Sequence, residues 1–154
     1  MAYPIAPIAP QLARTYEGSD FPAVNGTASK LSGGLGVIVD SGHQLDSPTT
    51  SGLQSLGVGA RLPTVNVAAA GSLGILRGDV QPGAVGVVQV RGIGPATAAG
   101  SISAGQLLSI CVLSGKIGWL QQAASGEEVV AQALVDAADG TQVLVRLLDV
   151  SVHP

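Results

Sequence analysis

The stretch Gly36–Gly42, GVIVDSG, carries the clearest suggestion of chemistry in the sequence. An apolar run ending in Asp-Ser-Gly presents a carboxylate on a tight loop. Two such carboxylates, held close enough to share one proton, can act as base and acid in hydrolysis. This chain carries the tripeptide once, at Asp40-Ser41-Gly42, so the pair would need a second copy. Other chemical groups are sparse. His43 and His153 are the only histidines, and Cys111 is the only cysteine. No second cysteine exists to build a zinc site, and although Asp40, His43 and Asp46 could grip a metal ion from one loop, three ligands on a Ser- and Thr-rich loop are a weak signal. Glu127 and Glu128 are adjacent, so on a strand they point to opposite faces and cannot work as a pair.

GVIVDSG resembles the active-site loop of aspartic proteases of the retroviral, dimeric type. The rest of the chain departs from that pattern. His43 follows the tripeptide, where a small residue is usual. GILRGD, residues 74–79, only loosely matches the bracing segment, because Arg77 interrupts it. Between the two lies SPTTSGLQSLG in place of a glycine-rich flap. Asp-Ser-Gly is also ordinary turn chemistry, since Asp and Ser cap turns and Gly accepts positive φ. Arg77-Gly78-Asp79 spells an integrin-type tripeptide and Asn25-Gly26-Thr27 a glycosylation sequon. Both read as turns. Gly92-Ile93-Gly94 is followed by Pro95 and lacks the third glycine of a dinucleotide site. Ser114-Gly115-Lys116 lacks the spacing of a phosphate-binding loop, and no Gly-x-Ser-x-Gly elbow precedes a helix. The expectation is a protein that is not an enzyme, with no catalytic, cofactor or metal residues.

Composition points to a covered surface. The 154 residues are 46% hydrophobic but only 11% charged, with mean hydropathy +0.45. Charged residues usually make up ~25%. Weak charge lowers the repulsion that keeps copies apart, so partners are expected to cover part of the surface. The longest uncharged run, Gly92–Gly115, contains five glycines and a proline, which argues against a spanning helix. At 3% aromatic, the chain lacks the girdles of a membrane barrel. No signal-peptide pattern opens it. Net charge is −3 and the basic residues are scattered, so neither nucleic acid nor membrane is expected as a partner.

The elements that must position these groups fall into two parts. Residues 1–30 hold Pro4, Pro7, Pro10 and Pro22 and show neither helical nor strand periodicity. The block YPIAPIAP favours an extended, polyproline-like backbone. Three of the four aromatics, Tyr3, Tyr16 and Phe21, lie in this segment. It reads as an arm docking on a neighbouring subunit or another protein, with Tyr3, Pro4, Ile5, Pro7, Ile8, Pro10, Tyr16 and Phe21 as its contact residues. Residues 31–154 read as a single β domain, with 42–60 a long polar loop or insertion. Expected strands are Leu35–Asp40, Thr64–Ala69, Leu73–Arg77, Ala84–Arg91, Gln106–Leu113, Lys116–Leu120, Val129–Val135 and Gln142–Val150. A short helix at Ala123–Val135 is the weaker reading of that stretch. Such spacing with glycine turns predicts an all-β barrel or sandwich. LSGKIGWL reads as a hairpin turning at Ser114-Gly115, and VDAADGTQVLV as one turning at Asp139-Gly140. Residues 79–90 and 101–112 echo each other, with an apolar residue, spacers, Gly, then a strand, which fits either a duplicated turn-strand unit or the general grammar of a glycine-rich β protein.

Three segments together resemble the capsid cement, or head-decoration, proteins of tailed bacteriophages. They are LGILRGDVQPGAVGVVQVRGI, SISAGQLLSICVLSGKI and VVAQALVDAADGTQVLVRLL, at Leu73–Ile93, Ser101–Ile117 and Val129–Leu148. They span roughly half the chain, and residues 1–72 have no counterpart. The resemblance implies an all-β, small β-barrel or β-tulip-like domain, here with an extended proline-rich N-terminal arm. It further implies a protein made in the host cytoplasm that ends on the outer capsid surface of the virion. There it would bind the major capsid protein, with itself as a homotrimer, and stabilise the shell. The alternative readings are another virion β domain, tail- or fibre-associated, and the dimeric aspartic protease.

Overall fold

The structure is a computed structural model that describes residues 20–40 and 58–154. It is all-β, and no helix forms among the described residues. The first five strands are β1 (Asp20–Asn25), β2 (Gly36–Val39), β3 (Val58–Arg61), β4 (Ser72–Leu76) and β5 (Val85–Gln89). They close into a barrel in the order β1-β3-β2-β4-β5. β1 runs parallel to β3, and every other pairing in the barrel is antiparallel. Small and branched residues fill its interior: Ala23, Leu31, Val37, Ala60, Leu76, Val80 and Val88.

The second half forms a five-stranded sheet. Its strands are β6 (Gly92–Thr97), β7 (Leu107–Ile110), β8 (Leu120–Gln122), β9 (Glu128–Ala133) and β10 (Gln142–Val152), in the order β6-β10-β9-β7-β8. The two edge strands also meet. A parallel bridge joins Ala98 to Leu120, so the sheet curls back on itself. β10 shows the alternation that makes this possible. Val143, Val145 and Leu147 point inward and are buried, while Gln142, Leu144 and Arg146 face out. The inward residues pack with Leu108, Ile110, Leu120, Val130 and Ala131.

Ile38 and Ile75 of the barrel belong to that second core, so barrel and sheet share apolar packing. A polar contact reinforces the join. The Glu128 carboxylate, at the start of β9, accepts hydrogen bonds from the amides of Gly71 (3.1 Å) and Ser72 (2.9 Å) at the start of β4.

The echo between 79–90 and 101–112 is a repeated structural unit. Val80 bridges Leu31 and Ile102 bridges Ala137, each through a reciprocal pair of backbone hydrogen bonds. A turn follows in each, with Ala84 N–H donating to Gln81 and Gln106 N–H to Ser103. The glycines Gly83 and Gly105 sit at φ 75° and 89°, which an L side chain resists. β5 and β7 come next. One copy of the unit serves each half of the molecule.

Several expected elements are corrected. Thr64–Ala69 is not a strand: a turn forms at Val65-Asn66, with Asn66 at φ 58°. Asn is among the residues that best tolerate that conformation. Lys116–Leu120 is not a strand before Leu120. The β7–β8 hairpin exists, but its connection runs from Cys111 to Trp119 through two turns, closed by Lys116 N–H on Leu113 and Trp119 N–H on Lys116. Three strands were not expected. β1 lies inside the stretch read as an arm, β3 begins inside the stretch read as a polar loop, and β6 contains the Gly92-Ile93-Gly94-Pro95 segment.

Candidate functional site

Among the described residues, the chemical candidates do not converge. Asp40 stands just past the end of β2, where its amide donates to the Gly59 carbonyl at 2.8 Å. It therefore marks a strand end held by β3. Ser41, Gly42, His43 and Asp46 lie outside the described residues, so the loop carrying the protease-like and metal-like sets is not described. Among the described residues, no three of His, Cys, Asp and Glu gather as a metal-holding group. Glu127 is engaged by Ser109 Oγ (2.6 Å), the Ala124 amide (2.9 Å) and Gln121 (3.3 Å). Glu128 turns the other way, to Gly71 and Ser72. The two neighbours thus serve separate structural bonds. Cys111 is buried and free.

The two short motifs are built into the fold. Asn25 is buried. Its amide nitrogen donates to the carbonyls of Ser29 and Val80, and its oxygen accepts from the Thr27 amide and hydroxyl. That side-chain nitrogen is committed to holding a turn. In Arg77-Gly78-Asp79, Arg77 pairs with Asp20, and Asp79 accepts from Lys30 (3.1 Å) and the Gly33 amide (2.9 Å). The Gly33 amide, then Lys30, holds the Asp79 carboxyl below the ordinary aspartate value. Asp139 is held down similarly by Lys116, at 2.7 Å, and by the Gly100 amide.

A cavity of about 420 Å³ opens beside these pairs, where the barrel meets β6. Arg77, Gly78 and Asp79 rim one side, Ile93, Gly94 and Pro95 the other, and Gln89 lines its wall. Gln89 is buried, and its amide nitrogen donates to the carbonyls of Arg91 (2.9 Å) and Ile93 (3.1 Å). It therefore caps part of the outer edge of β6. Pro95 supplies no N–H on the same strand. The edge is closed to a partner strand at two successive positions.

The outward face of the sheet is the other unusual surface. Ile93 is 59% exposed, Leu144 42% and Leu134 36%, and Pro95 is exposed beside them. Pro95, Leu144 and Leu134 form a row across strands, with Ile93 beside it on β6. Pro95 lies opposite Leu144, and the Leu134 amide donates to the Leu144 carbonyl. The next row along is Ile93, Arg146 and Gln132, in which Arg146 donates to Gln132 at 2.6 Å. A polar pair thus borders an apolar strip, as at the rim of an interface. Period-two patterning in QVLVRLL was a readable signal for it, because Leu144 occupies an outward position where a polar residue is expected.

Of the expected arm residues, Tyr3, Pro4, Ile5, Pro7, Ile8, Pro10 and Tyr16 lie outside the described residues. Phe21 is in β1, in register with Val88 of β5.

No family model matches the chain, and no curated protein matches it. Among solved structures, it is similar to the N base of head fiber gp8.5 in bacteriophage phi29. The match has a TM-score of 0.54 at 16% identity and covers 84% of this chain and 92% of that one. The likeness is one of fold, and it extends over both halves of the molecule.

Proposed function

We propose that this chain is a structural component of a tailed-phage virion that binds the outer surface of the assembled capsid as a head-decoration protein. The observation that carries the reading is the fold shared with the base of a phage head fibre, over most of both chains. The sequence resemblance of Leu73–Ile93, Ser101–Ile117 and Val129–Leu148 to cement proteins supports the same placement from a separate direction. The chain works by binding. Its surface is poor in charge and exposes an apolar strip on the outer sheet, which suits attachment to a protein shell. Single contacts can be modest, because a homotrimer attached at several points multiplies the effective affinity. A protein that binds the mature shell and not its precursor stabilises that shell by mass action.

Cosedimentation tests this. Purified protein is mixed with heads stripped of surface proteins, and the pelleted fraction is measured with and without heads. Saturable pelleting, together with increased resistance of the heads to heat, is the expected result. Protein that stays in the supernatant at every ratio overturns the reading. The fibre-base likeness favours one second reading, in which the chain forms the base of a head appendage. In that case it would occupy only a few positions per head.

A further inference from the structure

We infer that residues 149–153, at the end of β10, pair antiparallel with the same residues of a second copy, in a register centred on Ser151. β10 outruns its neighbour. Its pairing with β6 ends at Leu147 opposite Gly92, while its pairing with β9 resumes at Ser151 and Val152. The His153 amide still donates to the Glu127 carbonyl. Among the described residues, no strand lies beside β10 beyond Leu147 on the β6 side, so that side is an open edge. From Gln142 to Leu147 every second residue is buried, but Asp149, Val150, Ser151 and Val152 are exposed in succession. Val150 is 45% exposed and Val152 65%. The register shift between Leu147 and Ser151 bends the strand there and sets this end apart from the paired part. An open edge with exposed alternate valines is a template for another strand.

The sequence of this edge says what fits it. DVSVH has the same polar and apolar order read from either end, with Ser151 at its centre. Antiparallel pairing about Ser151 sets Val150 against Val152 of the second copy, Asp149 against His153, and Ser151 against itself. Side chains alternate along a strand, so the four valines share one face and the polar groups the other. Valine pairs are favourable cross-strand neighbours, and an acid opposite an imidazole avoids like charges. Other registers lose this match. A slip of one residue sets Val150 against Ser151 and Val152 against Asp149. A slip of two, centred on Val150, drives His153 into the position beside Leu147 that Gly92 already holds. The register about Ser151 stays clear of Gly92. Such a contact is isologous, with one surface meeting itself about a two-fold axis. It is therefore separate from the trimer contact of the proposed decoration role, and it joins one trimer to the next.

The inference does not depend on the virion role, because the contact is read in solution with no capsid present. The experiment is disulfide trapping in the full-length chain. Cys111 is buried and stays out of the reaction. Ser151→Cys sets two thiols opposite each other across the axis, within disulfide reach. Leu144→Cys, exposed on the same strand but paired with β6, gives the background of chance collisions. Circular dichroism confirms that the variants keep their strands. Under mild oxidation, Ser151→Cys is expected to give a covalent dimer of the 15.2 kDa chain on a denaturing gel, whether or not trimers also form. Val150→Cys and Val152→Cys are expected to crosslink when mixed. Each alone is expected to react at least ~10-fold more slowly, because like positions then lie diagonally, ~7–8 Å apart. Two results would overturn the inference. One is a Ser151→Cys chain that gives no dimer above the Leu144→Cys background. The other is a Val150→Cys chain that crosslinks alone as fast as the mixture does.

Discussion

Glu128 is the single residue on which the join between barrel and sheet most visibly turns. Burial pushes its carboxyl up, but hydrogen bonds from Ser72 and Gly71 outweigh that and leave it below the ordinary value of 4.5. A folded-state pKa below the unfolded one stabilises the protein above the unfolded value, and the gain is lost as pH falls through the folded value. Stability should therefore decline as pH falls below the ordinary glutamate value of 4.5. Glu128→Gln should lower the thermal midpoint most near neutrality, and its curve should meet the wild-type curve in acid. A constant offset at every pH would contradict this. Packing makes a second residue-scale prediction. A Cβ on Gly74 would lie 2.3 Å from the Gln89 carbonyl oxygen and 2.8 Å from Val88. Gly74→Ala should cost about 1–3 kcal/mol in denaturant unfolding, as overpacking does. Gly78→Ala, with nothing within 4 Å, should stay within ~0.5 kcal/mol. Little of this could be read in the sequence. Gly74 and Gly78 look alike in GILRG, and only the neighbouring strand separates them. Likewise Asn25 matched a sequon locally, while its bond to Val80 comes from 55 residues away.

At the scale of elements, legibility followed how locally each strand is specified. β10 and β9 carry their own patterns and were placed within a few residues of their observed bounds. β1 and β3 do not. DFPAVN holds a proline and VGAR a glycine, and they become strands by pairing in parallel with each other, across a connection that no short-range signal announces. β6 was hidden for a similar reason, because Gly92, Gly94 and Pro95 read as turn residues. A Cβ on Gly94 would lie 2.2 Å from the side-chain oxygen of Gln89, so the Gln89 side chain would have to shift to admit one. Placing β1 changes what removing the N-terminal segment should do. Deleting residues 1–19 leaves β1 intact, so that chain should keep the cooperative unfolding of its first half. Deleting 1–25 removes a strand that pairs with both β3 and β5 and opens the barrel. That chain should lose cooperative unfolding of its first half, visible as a lower denaturant slope. Equal midpoints and slopes for the two deletions would contradict the placement of β1.

At the scale of the whole molecule, low charge was the most informative property of the sequence. It suggested a covered surface, and the fold supplies an exposed apolar strip bordered by a polar pair. Attachment through such a surface should be nearly indifferent to salt. Head binding measured at about 0.1 M and at about 1 M sodium chloride should differ little, whereas attachment by charge pairs would weaken strongly over that range. The loop that follows Asp40 in GVIVDSG lies outside the described residues, while the all-β barrel implied by the decoration-like segments is present. A reconstruction of the intact virion, with this chain identified in the density, tests the proposed role most directly. The account predicts it on the outer face of the head, repeated over the shell as homotrimers on the major capsid protein. Its absence from the particle, or its location only on the tail, would contradict the account.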